Sequence, residues 1–150
     1  MLIVNSFEVD TAAERVWPAL NDLPGLAMCV PYTEQITVVD WGTYDVRIAL
    51  RFGLIVIRYD GELLMKHSNA ETRTLTTAVS GKQTQGYGGV RGLITLKAVE
   101  VPRGTRVVVT IDAELSGLIT SFGSGVIESV ARRVVAEFAK RFRSALEKAQ

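Results

Sequence analysis

The chain has 150 residues, of which 47% are hydrophobic and 22% are charged, and its formal net charge is +1. This length predicts a single domain over residues 1–150, and the near-neutral charge argues against nucleic acid as a partner, since such surfaces are strongly basic. One cysteine, Cys29, and one histidine, His67, exclude an intramolecular disulfide and leave no candidate metal site.

The first predicted element is a strand over residues 2–9. The residues around it have no basic start and turn polar after Val4, which argues against a secretion signal. No apolar run approaches the ~18 residues needed to cross a bilayer. We therefore expect a cytoplasmic protein without a transmembrane segment.

Two short helices are predicted next. Thr11 to Glu14 match the S/T-x-x-E capping box, which predicts a helix starting there. Pro18 falls inside that helix and should bend or restart it, because proline has no N–H to donate. A second, unusually apolar segment follows over residues 23–30 and is predicted to be a short helix or an irregular connection.

Between Thr33 and Leu115, apolar and charged residues alternate with a period of two, which is typical of strands with one buried face. Turn signals divide the region into about six strands. They stand at residues 41–42, 52–53, 68–69, 81 and 103–104. Together with the first strand, they predict a seven-stranded antiparallel sheet with one dry face.

A long amphipathic helix is predicted from Gly117 to about Lys148. Its apolar residues recur at steps of three and four and form a stripe about six turns long, which requires a broad, curved sheet beneath it. The stripe consists of Ile119, Phe122, Val126, Ile127, Val130, Val134, Phe138, Phe142 and Ala145. Helices segregated from an antiparallel sheet place the chain in the α+β class.

The reactive side chains do not form a catalytic set. His67 is interpreted as a solvated turn histidine beside Ser68 and Asn69, and Cys29 as a buried or cavity-wall thiol, since no cation stands near it in the sequence. The carboxylates fall on the charged faces of strands. We therefore predict no catalytic residue, no bound metal and no cofactor.

Two groups of glycines are possible binding features. The run from Gly81 to Gly92 invites a phosphate-loop interpretation, but such loops open a helix and here a strand follows, so a flexible hairpin loop that could gate a pocket is favoured. Gly123 and Gly125 lie in the first turns of the predicted long helix, where each costs roughly 1 kcal/mol relative to alanine. Close packing and room for a ligand both remain open as explanations.

Two parts of the chain resemble the CoxG family of carbon monoxide dehydrogenase subunits. They are residues 16–22 with 26–31 near the start, and residues 104–107, 112, 115–119 and 122–123 towards the end. The resemblance implies a helix-grip fold (START-like, Bet v 1-like), in which a curved seven-stranded antiparallel sheet wraps around the C-terminal helix and leaves an apolar cavity. Members of that family are accessory proteins of molybdenum hydroxylases, thought to assist maturation or membrane recruitment.

In that fold, ten side chains would line the space between sheet and helix, which implies a small hydrophobic ligand such as a lipid or a quinone. They are Met28, Tyr44, Tyr59, Leu63, Leu75, Tyr87, Ile111, Ile119, Phe122 and Val126. Residues 23–30, the glycines beside Phe122 and the glycine-rich run 81–92 are expected to surround one cavity mouth.

Three functions are compatible with this sequence. The first is a non-catalytic accessory protein that holds the ligand and docks on molybdenum hydroxylase subunits. The others are an enzyme like the polyketide cyclases and aromatases of the same superfamily, and a protein-interaction module with a filled core. A cyclase needs an acid or base inside the cavity, whereas strand alternation places only tyrosine hydroxyls there.

Overall fold

The computed structural model describes residues 1–149 as one antiparallel sheet with three α-helices and a 3-10 helix. The strands are β1 (Leu2–Val9), β2 (Thr33–Asp40), β3 (Thr43–Phe52), β4 (Ile55–Asn69), β5 (Thr74–Gln83), β6 (Gly89–Val101) and β7 (Gly104–Leu115). The helices are α1 (Ala13–Leu20), α2 (Leu23–Cys29), the 3-10 helix (Leu118–Phe122) and α3 (Ser124–Lys148). The α+β class and the seven-stranded sheet with a long C-terminal helix are confirmed.

The strands follow the order β1-β7-β6-β5-β4-β3-β2, so β1 and β2 form the two edges. Each pair of neighbours is antiparallel. The predicted alternation holds in β7, where Val107 and Val109 are buried and Arg106 and Glu114 are exposed. The buried positions define the inner face of the sheet, on which α3 lies.

The hydrophobic core consists of two clusters at opposite ends of α3. The large cluster joins β1, β5, β6 and β7 to α1, α2 and the C-terminal half of α3, with Phe142 and Leu75 among its fully buried members. The small cluster contains Phe52, Ile57, Tyr59, Ile119 and Val130 and lies at the N-terminal half of α3. The middle of the inner face lies between them.

The predicted capping box is wrong. Ala12 is the N-cap of α1 and no side chain caps the helix. Thr11 lies one residue too early to cap, and its carbonyl accepts a hydrogen bond from the Thr105 hydroxyl at 2.7 Å. Pro18 does not restart α1, which runs on to Leu20. The second short helix is confirmed as α2, where the Asp22 carboxylate accepts from the Gly25 N–H at 3.2 Å.

The long helix does not begin at Gly117 as predicted. A 3-10 helix comes first, and α3 begins only at Ser124. Gly117 and Gly123, which flank the 3-10 helix, have φ/ψ values of 85°/−151° and 81°/160°. This region is essentially restricted to glycine, so the two residues break the helical path.

The predicted apolar stripe is displaced along part of α3. Val126 and Ala145 are exposed, although both belong to the predicted stripe. The buried residues of the helix are Val130, Val135, Ala139, Phe142 and Leu146. The C-terminal half of α3 contacts α2 as well as β1, so its buried arc is shifted relative to one that faces the sheet alone.

Gly81 does not form the turn predicted there. It lies within β5, directly opposite Gly61 of β4, and the connection from β5 to β6 is residues 84–88. Gly92 also lies inside a strand. A Cβ at Gly61 would overlap the carbonyl oxygen of Ser80, so this glycine permits close approach of two strands. The loop is therefore much shorter than the predicted run 81–92.

Candidate functional site

The inner face is incompletely covered at its centre. A row of directly paired residues crosses the middle strands from Tyr44 through Leu63 and Val79 to Gly92 and Ala113. Tyr44, Leu63 and Val79 are only half-buried, although they lie on the face that packs towards α3. A filled core would bury the side chains of central strands most completely.

The position of α3 explains this exposure. The helix makes its main contacts with β1, α2, the 3-10 helix and β3, rather than with the middle strands β4, β5 and β6. We call the space between α3 and the middle strands the central groove. Its half-buried apolar side chains are those of Tyr44, Val46, Leu63, Val79, Ile94 and Ile111.

Seven of the ten predicted ligand-contacting residues lie inside the molecule. Tyr44, Leu63 and Ile111 line the central groove, and Leu75 is fully buried in the large cluster. Tyr59, Ile119 and Phe122 belong to the small cluster, Phe122 as a partly buried member. A ligand-binding role for these residues stays a prediction.

The other three residues are not brought to the inner face. Met28 in α2 is 56% exposed, Tyr87 in the loop 84–88 is 86% exposed and Val126 in α3 is 46% exposed. Their placement could not follow from the sequence, because an apolar residue type does not reveal which side of a loop or helix it occupies.

The expected single cavity mouth is also divided. α2 packs with the large cluster beside the C-terminal half of α3. Phe122 and Gly123 precede the other end of this 25-residue helix, which is about 37 Å long at 1.5 Å per residue. Residues 23–30 therefore do not share a mouth with Phe122 and the loop 84–88.

The connections near the N-terminus of α3 are tied together. The Thr84 N–H donates to the carbonyl of Arg58 at 2.9 Å, and the Ser116 N–H donates to the carbonyl of Gly89 at 2.9 Å. Phe52 and Phe122 stack with ring centroids 4.6 Å apart. These contacts close one end of the molecule over the small cluster.

Two polar atoms beneath this closed end have no hydrogen-bond partner among the described residues. They are the hydroxyl oxygen of Tyr59 and Oε1 of Gln83. Tyr59 is only 3% exposed, and burial raises the pKa of its phenol. The hydroxyl therefore remains a hydrogen-bond donor well above neutral pH.

The cysteine and the histidine lie apart from each other. Cys29 is buried as predicted, and burial raises the pKa of its thiol although the charge of Arg141 opposes the effect. A raised pKa reduces the thiolate fraction and hence nucleophilicity. His67 is exposed near the end of β4, beside a register shift that follows Met65.

An open depression of about 940 Å³ lies on the outer, polar face of the sheet. Its side chains come from β2 to β7 and carry both signs of charge, with Arg47 and Asp60 paired at 2.7 Å. Both partners are solvent-exposed, so the pair contributes little to stability. A smaller depression of about 390 Å³ lies between β1 and α3 and includes Asn5, Arg132 and Arg143.

Within residues 1–149, no group of three or more histidine, cysteine, aspartate or glutamate side chains is arranged to hold a metal ion. None of the helices in this range combines the length and the apolar character required to span a bilayer.

A curved antiparallel sheet that packs on a long C-terminal helix, with two short helices after the first strand, defines the helix-grip class, which is START-like and Bet v 1-like. Within that class, the profile of the carbon monoxide dehydrogenase subunit CoxG matches residues 6–147. The chain belongs to the CoxG family. A comparison with curated proteins finds no match.

Solved structures show the same fold at low sequence identity. A conserved protein from Geobacillus kaustophilus has a TM-score of 0.86 at 19% identity, covering 99% of this chain and 97% of its own. A START superfamily protein from Mycobacterium smegmatis has a TM-score of 0.72 at 11% identity, covering 99% of both chains. An aromatase/cyclase from a Streptomyces species has a TM-score of 0.68 at 16% identity, covering 99% of this chain and 94% of its own.

Proposed function

We propose that this protein is a non-catalytic accessory protein that holds a small hydrophobic ligand, lipid-like or quinone-like, in the central groove. The observation that carries the proposal is the half-buried apolar row on the inner face, with Leu63 and Val79 at its centre. Covering apolar surface stabilises a complex by about 25 cal/mol per Å² removed from water. A ligand lying between this row and α3 would gain that free energy.

Family membership supports the proposed partner. The chain belongs to the CoxG family of carbon monoxide dehydrogenase subunits, and we propose that it assists a molybdenum-containing carbon monoxide dehydrogenase or a related molybdenum hydroxylase. Under this proposal, the ligand is carried for the partner enzyme and is not converted by the chain itself.

The chemistry of the inner face favours binding over catalysis. Its described positions in β3, β5 and β7, and in β6 from Val90 to Ala98, carry aliphatic, aromatic, glycine, threonine or glutamine side chains. The raised pKa of Tyr59 makes its phenol a poor general base at neutral pH. The resemblance to the Streptomyces aromatase/cyclase concerns the fold, and a cyclase function remains the second candidate.

Calorimetric titration with oleate and with decylubiquinone tests the proposal. Val79→Trp should fill the groove and lower the affinity for both compounds at least tenfold, since its side chain lies in the central row. Ser80→Trp is the matched control, because Ser80 is the next residue and points to the exposed outer face. Failure of the unaltered protein to bind either compound, or equal binding by both variants, would contradict the proposal.

A further inference from the structure

The unpartnered atoms of Tyr59 and Gln83 occur at one place on the inner face. The two residues are directly paired across β4 and β5. The Tyr59 hydroxyl and Gln83 Oε1 are both buried and lack a partner among the described residues. Buried polar groups are nearly always hydrogen-bonded, so two such atoms on one residue pair call for an explanation.

The Gln83 side chain is oriented by its own amide nitrogen. Nε2 donates to the carbonyl of Gln85 at 2.6 Å, which directs Oε1 away from the loop 84–88. A Cβ added at Gly117 would lie 3.1 Å from this oxygen. The free acceptor therefore faces a position where the chain has a glycine.

Tyr59 also lies beside a glycine. A Cβ at Gly81 would lie 3.5 Å from the Tyr59 Cβ, so the absence of a side chain at Gly81 leaves room along the tyrosine. Its ring is packed with the small cluster, between the central groove and the closed end. Glycines thus border both unpartnered residues.

The two atoms have complementary hydrogen-bonding requirements. A phenol hydroxyl needs an acceptor, whereas an amide oxygen needs a donor. A ligand hydroxyl can accept from one group and donate to the other. A ketone, an ester or an ether can only accept and would leave Gln83 unsatisfied.

The 3-10 helix covers this position. Ile119 is buried in the same cluster as Tyr59, and Phe122 stacks on Phe52. The segment is held internally by short-range bonds such as that from the Thr120 N–H to the carbonyl of Gly117 at 3.1 Å. Because solvent does not reach the Tyr59 hydroxyl in this conformation, a ligand group reaches it only when the 3-10 helix shifts.

We infer that Tyr59 and Gln83 form a polar subsite at one end of the central groove, which binds the hydroxyl head group of an amphipathic alcohol or phenol beneath the 3-10 helix. This inference rests on the proposed function, since the apolar part of the ligand lies in the central groove. It adds the chemical class of the head group and names the residues that select it.

A matched pair of ligands tests the inference. By calorimetry, the unaltered protein should bind 4-hexylphenol about tenfold more tightly than 4-hexylanisole, in which a methyl group replaces the hydroxyl hydrogen. Tyr59→Phe and Gln83→Met should each reduce that ratio to about threefold or less. Tyr44→Phe is the control and should preserve the ratio, because Tyr44 lies in the central groove outside the small cluster.

Stability in the absence of ligand provides a second readout. Tyr59→Phe should leave the urea midpoint unchanged or raise it, because it removes a buried hydroxyl without a partner. A lowered midpoint, with equal weakening for both compounds, would show a structural role and overturn the inference. Equal binding of both compounds by the unaltered protein would overturn the inference alone, whereas no binding of either would overturn the proposed function with it.

Discussion

Replacing Phe142 by alanine tests the packing of α3 on the sheet. Phe142 is 2% exposed. Its ring meets Phe7 edge-on at a centroid distance of 6.1 Å and stacks with Phe138 at 5.8 Å. Truncating a buried phenylalanine costs about 3–5 kcal/mol, and each aromatic pair adds about 0.5–1.5 kcal/mol beyond the area that it buries. We expect a loss of about 4 kcal/mol for Phe142→Ala.

Urea denaturation followed by tryptophan fluorescence measures this loss, and thermal unfolding should show a melting temperature lower by about 10 °C. Val126→Ala is the matched control on the same helix, because Val126 is 46% exposed. It should change the free energy of unfolding by less than about 0.5 kcal/mol. A loss below about 1 kcal/mol for Phe142→Ala, or equal losses for both variants, would refute the packing described above.

Further predictions concern backbone conformation, ionisation and catalysis. Gly123→Ala should destabilise the protein by about 1–3 kcal/mol because its φ is 81°, whereas Gly125→Ala should stabilise it by up to about 1 kcal/mol, and equal urea midpoints would contradict this. Because burial raises the pKa of the Cys29 thiol and the Tyr59 phenol, stability should be full below about pH 8 and fall as the pH rises through about 9–10. Cys29→Ala should reduce that fall in urea titrations at pH 7 and 10, and an unchanged slope would count against it. His67→Ala should leave calorimetric ligand affinity within about threefold, and loss of a turnover by the folded variant would favour the cyclase alternative.

The sheet could be predicted because its strands alternate strictly and their turns contain glycine. Residues such as Val107 and Arg106 fall on opposite faces whatever the neighbouring strand is. The helix start was not predictable in the same way. Ile119 and Phe122 continue the helical spacing, and only the backbone angles of Gly117 and Gly123 reveal the break.

The candidate site was predicted only in part, because it depends on pairing and on exposure. Alternation correctly assigns Tyr59 and Leu63 to the inner face, but the opposition of Tyr59 and Gln83 depends on the register of β4 and β5. A sequence also does not indicate which apolar side chains stay exposed, as Tyr87 does. The structure changes the choice between explanations for Gly125, since a Cβ there would meet nothing within 4 Å and close packing does not require the glycine.

The most direct test of the central claim is to extract protein purified from its own host with organic solvent and to identify the released compounds by mass spectrometry. The unaltered protein and Ser80→Trp should release the same hydrophobic compound, in an amount approaching one equivalent, because the central groove is open in both. Val79→Trp should release much less. Absence of any specific compound from the unaltered protein, or equal release from Val79→Trp, would contradict the account.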